Sequence, residues 1–298
     1  MLHSRGKISI FEIVVYAPCI PVVLWYTIRD GLRQSAGWLY VMIFAQVRIA
    51  GAITQILSES NSTNTSLYTA QSILQSIGLN PLIFIVICHL SRINRSISIS
   101  RSSRRPISRL ITHGIGALVI GASALSIAGG VNSAKSLSAP STSGETRTFH
   151  ASGTTKAGIV LFVLAYIQIN LCIWVTARHF RATEAGERRV GQAIILSIPF
   201  IAIRLVYSLL AVFSTNPKFN LLTGSAIIWL VMAVLEEIIV VIIFLVAGYV
   251  AGIEMRKVQE GISSTVQNTP EEQILMTGSH PHGGYDKMNV QQKEAYRN

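Results

Sequence analysis

Charge is what this chain has least of. Only 13% of its 298 residues are Asp, Glu, Lys or Arg, against about 25% in an average soluble domain. The charge that would cover a water-facing surface is missing, so lipid is the solvent expected for much of the chain. Cysteine is scarce too. Cys19, Cys88 and Cys172 lie in or at the edge of apolar runs, and none forms C-x-x-C. Neither a disulfide framework nor a zinc site is indicated. There is no G-x-x-x-x-G-K-[ST], no H-E-x-x-H and no G-x-S-x-G, so the phosphate cradle of an ATP-driven pump and the familiar metalloprotease and hydrolase sites are absent. His280-Pro281-His282 is too sparse for a metal site. No metal and no cofactor is expected. Residues 221–252 contain no lysine, which removes the usual attachment point of a retinal Schiff base in a seven-helix protein.

What is present is apolar sequence, in seven stretches of about bilayer length. They cover residues 8–28, 38–57, 67–90, 110–131, 155–177, 190–213 and 221–252. Residues 1–28 resemble a signal peptide in having Arg5 and Lys7 before an apolar run. The run is long, contains Pro18 and Pro21, and lacks an A-x-A-like cleavage site, so a retained first helix is expected. These observations predict an all-α, polytopic seven-transmembrane-helix bundle over residues 1–252. Residues 253–298 are polar, without apolar periodicity, and read as a disordered tail.

The loops alternate between basic and nearly uncharged. Loops 29–37, 91–109 and 178–189, with the start of the tail, hold fourteen Lys and Arg, six of them between Arg92 and Arg109; the other side holds six. The positive-inside rule assigns the richer side to the cytosol, leaving the N-terminus outside or lumenal and the C-terminus cytosolic. The same clustering accounts for the net charge of +11 without nucleic acid. Asn61-Ser62-Thr63 and Asn64-Thr65-Ser66 are sequons in the loop assigned outside. Asn61 and Asn64 are therefore candidate glycan acceptors, whereas Asn94 of the cytosolic Asn94-Arg95-Ser96 is expected to stay bare. Ser108, after Arg104-Arg105-Pro106, is read as part of a plain basic loop.

Charges inside the apolar spans, away from their first and last turns, are few: Glu12, Arg48, Arg204, Glu236 and Glu237. On insertion scales each costs about 2.5–3.5 kcal/mol at the bilayer centre, so such residues mark pairing or function. Arg48, Gly51, Ala52 and Gln55 share one helical face, as do Arg204, Tyr207, Ser208 and Ala211. Glu237 falls about 20° from Gly248 on an ideal helix, and Gly248-x-x-x-Gly252 is a spacing that admits a close neighbour. The Glu237 face is therefore predicted to look inward, with Glu236 about 100° away at the border of the same wedge. Arg48, Arg204, Tyr207, Glu236 and Glu237 form the candidate site, either as an arginine–glutamate clamp or as a polar pocket. Gln168, Cys172 and Thr176 line one face of the fifth span and are expected to bond between helices. The adjacent Cys88-His89 lacks any sign of nucleophile geometry.

The run GLRQSAGWLYVMIFAQVRIAGAITQIL, with Arg204-x-x-Tyr207 and MAVLEEIIVVIIFLVAG, resembles an uncharacterised family of fungal seven-helix membrane proteins, a domain of unknown function. The likeness covers about residues 8–252. It implies a fungal source and a seven-helix bundle, and no activity. In architecture alone the chain is also similar to the fungal lipid-translocating exporters. The leading expectation is a multi-pass protein of the plasma membrane or an endomembrane, with the bilayer as its partner. It would bind a small amphipathic or lipid-like ligand in the bundle as receptor, sensor or transporter. One alternative is a membrane-embedded enzyme of the terpene-cyclase type, using Glu236 or Glu237 as acid. The other is a structural scaffold.

Overall fold

The computed structural model describes residues 4–30, 36–60, 65–101, 107–138, 152–178, 185–214, 216–219 and 224–267. The helices are α1 (Ser4–Asp30), α2 (Ala36–Ser60), α3 (Thr65–Ile77), α4 (Leu79–Arg101), α5 (Arg109–Ser138), α6 (Gly153–Ala177) and α7 (Ala185–Phe213). A short α8 (Ala226–Trp229) then runs through a π turn, Leu230–Val234, into α9 (Leu235–Gln267). Among the described residues there is no strand. Seven helical segments are long and apolar enough to cross a membrane, which fits a multi-pass membrane protein. Asn61, Asn64 and residues 268–298 lie outside the described residues.

Periodicity explains how the first pair packs. The buried residues of α1 include Ser9, Glu12, Tyr16, Cys19, Val23 and Tyr26, and those of α2 include Trp38, Val41, Ala45, Arg48, Ala52 and Gln55. Both sets step by alternate threes and fours, the spacing of a coiled-coil seam. Large aliphatic and aromatic residues on the opposite faces, such as Phe11, Val14, Leu39 and Ile53, stay exposed, as lipid-facing groups do. Helices α5 and α6 approach closely because Gly158 lacks a side chain. A Cβ there would run into Ser126 and the Ala122 carbonyl.

The third predicted span is two helices. It breaks at Gly78, between Ile77 and Leu79, and Pro81 follows. Proline has no N–H to give to the carbonyl one turn back, that of Ile77, so a rung of the helical ladder is missing at the break. Gly78 also has a steric role: a Cβ would overlap the Arg48 guanidinium. The span containing this break is the most buried of the seven, which is where irregular backbone is tolerated in a membrane protein.

The last helix differs from expectation at both ends. It starts at Ala226 and, after the π turn, continues to Gln267, so polar residues 253–267 are helical. The chain divides into two compact units at Gly252, Met1–Gly252 and Ile253–Asn298; all of the site described next lies in the first. The Gly248/Gly252 pair does not seat a helix backbone. Gly248 lies under the Trp38 ring and Gly252 under the Arg29 guanidinium, each where a Cβ would collide. Arg29 Nη2 donates to the Gly248 carbonyl at 3.3 Å.

Candidate functional site

Two arginines meet one carboxylate in the middle of the bundle. Arg48, twelve residues from either end of α2, donates from Nη2 to Glu237 Oε1. Arg204 of α7 donates from Nε to the same oxygen at 2.6 Å. Glu237 is 0% exposed, Arg204 2% and Arg48 5%. Arg204 also donates to Ser208 Oγ at 2.5 Å and to the Gln75 carbonyl at 3.5 Å. That carbonyl lies just before the Gly78 break. The guanidinium carbon of Arg204 stands 5.6 Å from the centre of the Tyr207 ring, and that of Arg48 5.6 Å from the Phe44 ring. Such stacking adds attraction to a desolvated cation.

Glu12 supplies the fourth charge. Its Oε1 is 4.0 Å from Arg48 Nη1. With all four groups ionised, Glu12, Glu237, Arg48 and Arg204 sum to zero. Charges taken out of water are tolerated when they are compensated in this way, and removing one partner strands the others.

The structure therefore brings Arg48, Arg204, Tyr207 and Glu237 together. Glu236 stands apart. It is buried, its Oε2 has no hydrogen-bond partner, and among the described residues no ion pair joins it to either arginine. Adjacent helical positions are about 100° apart, so only one of two neighbouring glutamates can point at a given helix.

The π turn sets which residues accompany Glu237. Within it the Leu235 N–H bonds to the Leu230 carbonyl, five residues back. Along an unbroken α-helix Trp229 and Glu237 would diverge by about 80°; one inserted residue reduces that to about 20°. Trp229 is thereby buried on the side of the cluster. It joins Ser9, Glu12, Arg48, Gln55, Gln71 and Gln75 around a cavity of about 10 Å³.

Beyond this cavity runs a polar ladder. Gln71 donates to Gln55 Oε1, Ser58 Oγ donates to Gln71 Oε1 at 3.3 Å, and Gln55 Nε2 donates to Glu59 Oε1 at 3.3 Å. It leads from the cluster to the end of α2.

Sequence reasoning gathered Gln55 and Ser208 by helical spacing, yet left Glu12 outside the site and missed Ser9, Gln71, Gln75 and Trp229. For Ser9 and Glu12 the signal was present in the three-four spacing that continues to Tyr16. For Trp229 none was visible, because nothing in LVMAV announces a π turn. The fifth-span face also differs from expectation. Thr176 bonds back to the Cys172 carbonyl of its own helix at 2.8 Å, and Gln168 is exposed. Asn94 is buried and clamps the chain after α4: its Nδ2 donates to the Ile107 carbonyl at 2.6 Å and its Oδ1 accepts from the Ile107 N–H at 3.2 Å. Among the described residues no three His, Cys, Asp or Glu side chains gather as metal ligands.

Seven long apolar helices around a buried, charge-balanced polar cluster define the class: a helical protein fit for multiple membrane crossings, with its ionic groups inside. The chain belongs to the family described as Domain of unknown function (DUF7702), whose model matches residues 2–254. No curated protein and no solved structure matches it.

Proposed function

We propose that the chain is an integral membrane protein of the fungal type its resemblance implies. Its N-terminus faces outside or the lumen, with glycan on Asn61 or Asn64, and the protein resides in the plasma membrane or an endomembrane. It binds a small anionic amphiphile within the bundle, as receptor, sensor or transporter. One observation carries this reading: Arg48 and Arg204, from different helices, converge on a single oxygen of Glu237, while Glu237 Oε2 has no hydrogen-bond partner. A paired guanidinium site matches a carboxylate or phosphate group. Glu237 fills it from within, and an incoming anion would compete for the same donors.

The cavity beside the cluster is too small for such a ligand, so binding requires helix movement. Among the described residues, the break at Gly78 and the π turn are two places beside the cluster where backbone hydrogen bonding is already irregular. The small cavity also favours a second reading, in which the cluster is a permanent brace.

Mass spectrometry of lipids and metabolites co-purifying with the protein separates the two. Glu237→Gln vacates the anion position and should increase a bound anionic species. Arg48→Lys keeps one charge but loses the planar fork, and should lose that species while the protein remains folded. A co-purifying set that is the same in wild type and both variants supports the brace.

A further inference from the structure

Five of the residues that line the cavity carry a buried polar atom without a hydrogen-bond partner. These atoms are Ser9 Oγ, Glu12 Oε1, Arg48 Nε, Gln75 Oε1 and Trp229 Nε1. All five residues are less than 10% exposed. A buried polar group left without a partner loses its hydration and gains nothing in return, so five such residues around one void are a built site. Its volume, about 10 Å³, is at the lower bound for a single water. The chemistry agrees. Arg48 Nε and Trp229 Nε1 can only donate, Glu12 and Gln75 oxygens accept, and Ser9 does either. Two fixed N–H donors pointed at a bare cation would repel it, whereas a water accepts from them and donates to the two oxygens.

We propose that this cavity holds a water through which Glu12 exchanges protons with the N-terminal side of the membrane, making Glu12 the proton site of the bundle. The ladder of Gln71, Gln55 and Ser58 leads from the cavity to Glu59, near the end of α2. Glu12 lies eight residues from the start of α1, about 12 Å of helix from that face. In the transfer step, a hydrated proton from that side releases H⁺ to the water. The water passes a proton to the Glu12 carboxylate, which becomes a neutral acid, and the water is left neutral.

The charged and titratable groups acting on Glu12 are Tyr16 on α1, Arg48 on α2, Arg204 on α7 and Glu237 on α9; Arg5 interacts with Glu59 and Tyr207, and the polar side chains that α3 brings to the cavity are the amides of Gln71 and Gln75. Protonation changes the sum over Glu12, Glu237, Arg48 and Arg204 from zero to +1. An anion entering between the arginines restores neutrality, so proton and anion binding favour each other. This coupling rests on the ligand reading above; the proton site does not.

The test is pH-difference infrared spectroscopy of the full chain in lipid nanodiscs. Wild type should gain a protonated-carboxyl stretching band on acidification. The band should be lost in Glu12→Gln and shifted in frequency in Glu12→Asp, which decides the matter if Glu12→Gln fails to fold. In sealed vesicles the band should follow the pH on the N-terminal side only, and Gln71→Leu should slow its appearance at least tenfold. No band in wild type, a band that survives Glu12→Gln or is unshifted in Glu12→Asp, or one that follows pH from the other face, overturns the proposal. If anions co-purify without any band, the proton site fails and the ligand reading stands. If a Glu12 band appears and no anion co-purifies, the proton site stands and the ligand reading fails.

Discussion

Replacing Arg204 by methionine keeps a long, unbranched stem and removes only the guanidinium. The side chain is 2% exposed, so solvent cannot compensate for what is lost. The losses are the 2.6 Å bond to Glu237, the 2.5 Å bond to Ser208 and the 3.5 Å contact to the Gln75 carbonyl. Breaking a buried ion pair costs about 3–5 kcal/mol. Because Arg48 still holds Glu237, the lower end applies, about 3 kcal/mol. At about 2–4 °C per kcal/mol, melting should fall by roughly 6–12 °C. The assay is thermal unfolding in detergent followed with a thiol-reactive dye, since Cys19 and Cys172 are buried in the folded chain. The decisive comparison is the double variant. Arg204→Met with Glu237→Gln leaves one cation, Arg48, facing one anion, Glu12. It should recover about 0.5–3 kcal/mol relative to the sum of the single changes. Arg204→Met with Glu236→Gln should recover nothing. Strict additivity of the first pair, or rescue by the second, would refute the assignment of Glu237 as the shared partner.

Gly78→Ala should destabilise by about 1–3 kcal/mol, because the new methyl meets a pinned Arg48; in an Arg48→Met background the same melting assay should show little effect. Gly248→Leu collides with the Trp38 ring and should lower the yield of monodisperse protein on gel filtration, whereas leucine at the exposed neighbour Tyr249 should not. Asn94→Ala leaves the buried Ile107 N–H and C=O unpaired and should cost about 1–3 kcal/mol, read as a lower melting temperature. On glycosidase treatment, a mobility shift should disappear with joint loss of Asn61 and Asn64 and be unaffected by loss of Asn94.

Span positions were legible because lipid imposes a severe rule: a crossing helix must be apolar for about twenty residues. The charges were legible for the same reason, since Arg48, Arg204 and Glu237 interrupt runs that tolerate few such residues. Their inward faces followed from spacing alone. Three things did not follow. The break at Gly78 lies inside a continuously apolar run, and hydropathy is blind to backbone geometry. Spacing turns Glu237 inward and sets Glu236 at the border of the same wedge, but excluding Glu236 from the arginines requires the rotational phase of the final helix, which depends on its neighbours. Gly248 and Gly252 read as a contact between backbones, but the space is filled by Trp38 and Arg29, whose reach across helices no local pattern reveals.

The π turn separates how many residues the last crossing contains from the direction in which they point. Its extra residue fits into the hydrogen-bonding of the helix, so removing any one of the five residues from Leu230 to Val234 would leave an α-helix in which Trp229 and Glu237, then seven residues apart, still diverge by only about 20°. The indole would keep its place beside the guanidinium of Arg5 on α1, 5.5 Å from the ring centre. Drawing the same residues into regular α form without a deletion would instead swing Trp229 by about 100° relative to Glu237. In this helix a single-residue deletion is silent in direction, and loss of the bulge is a rotation.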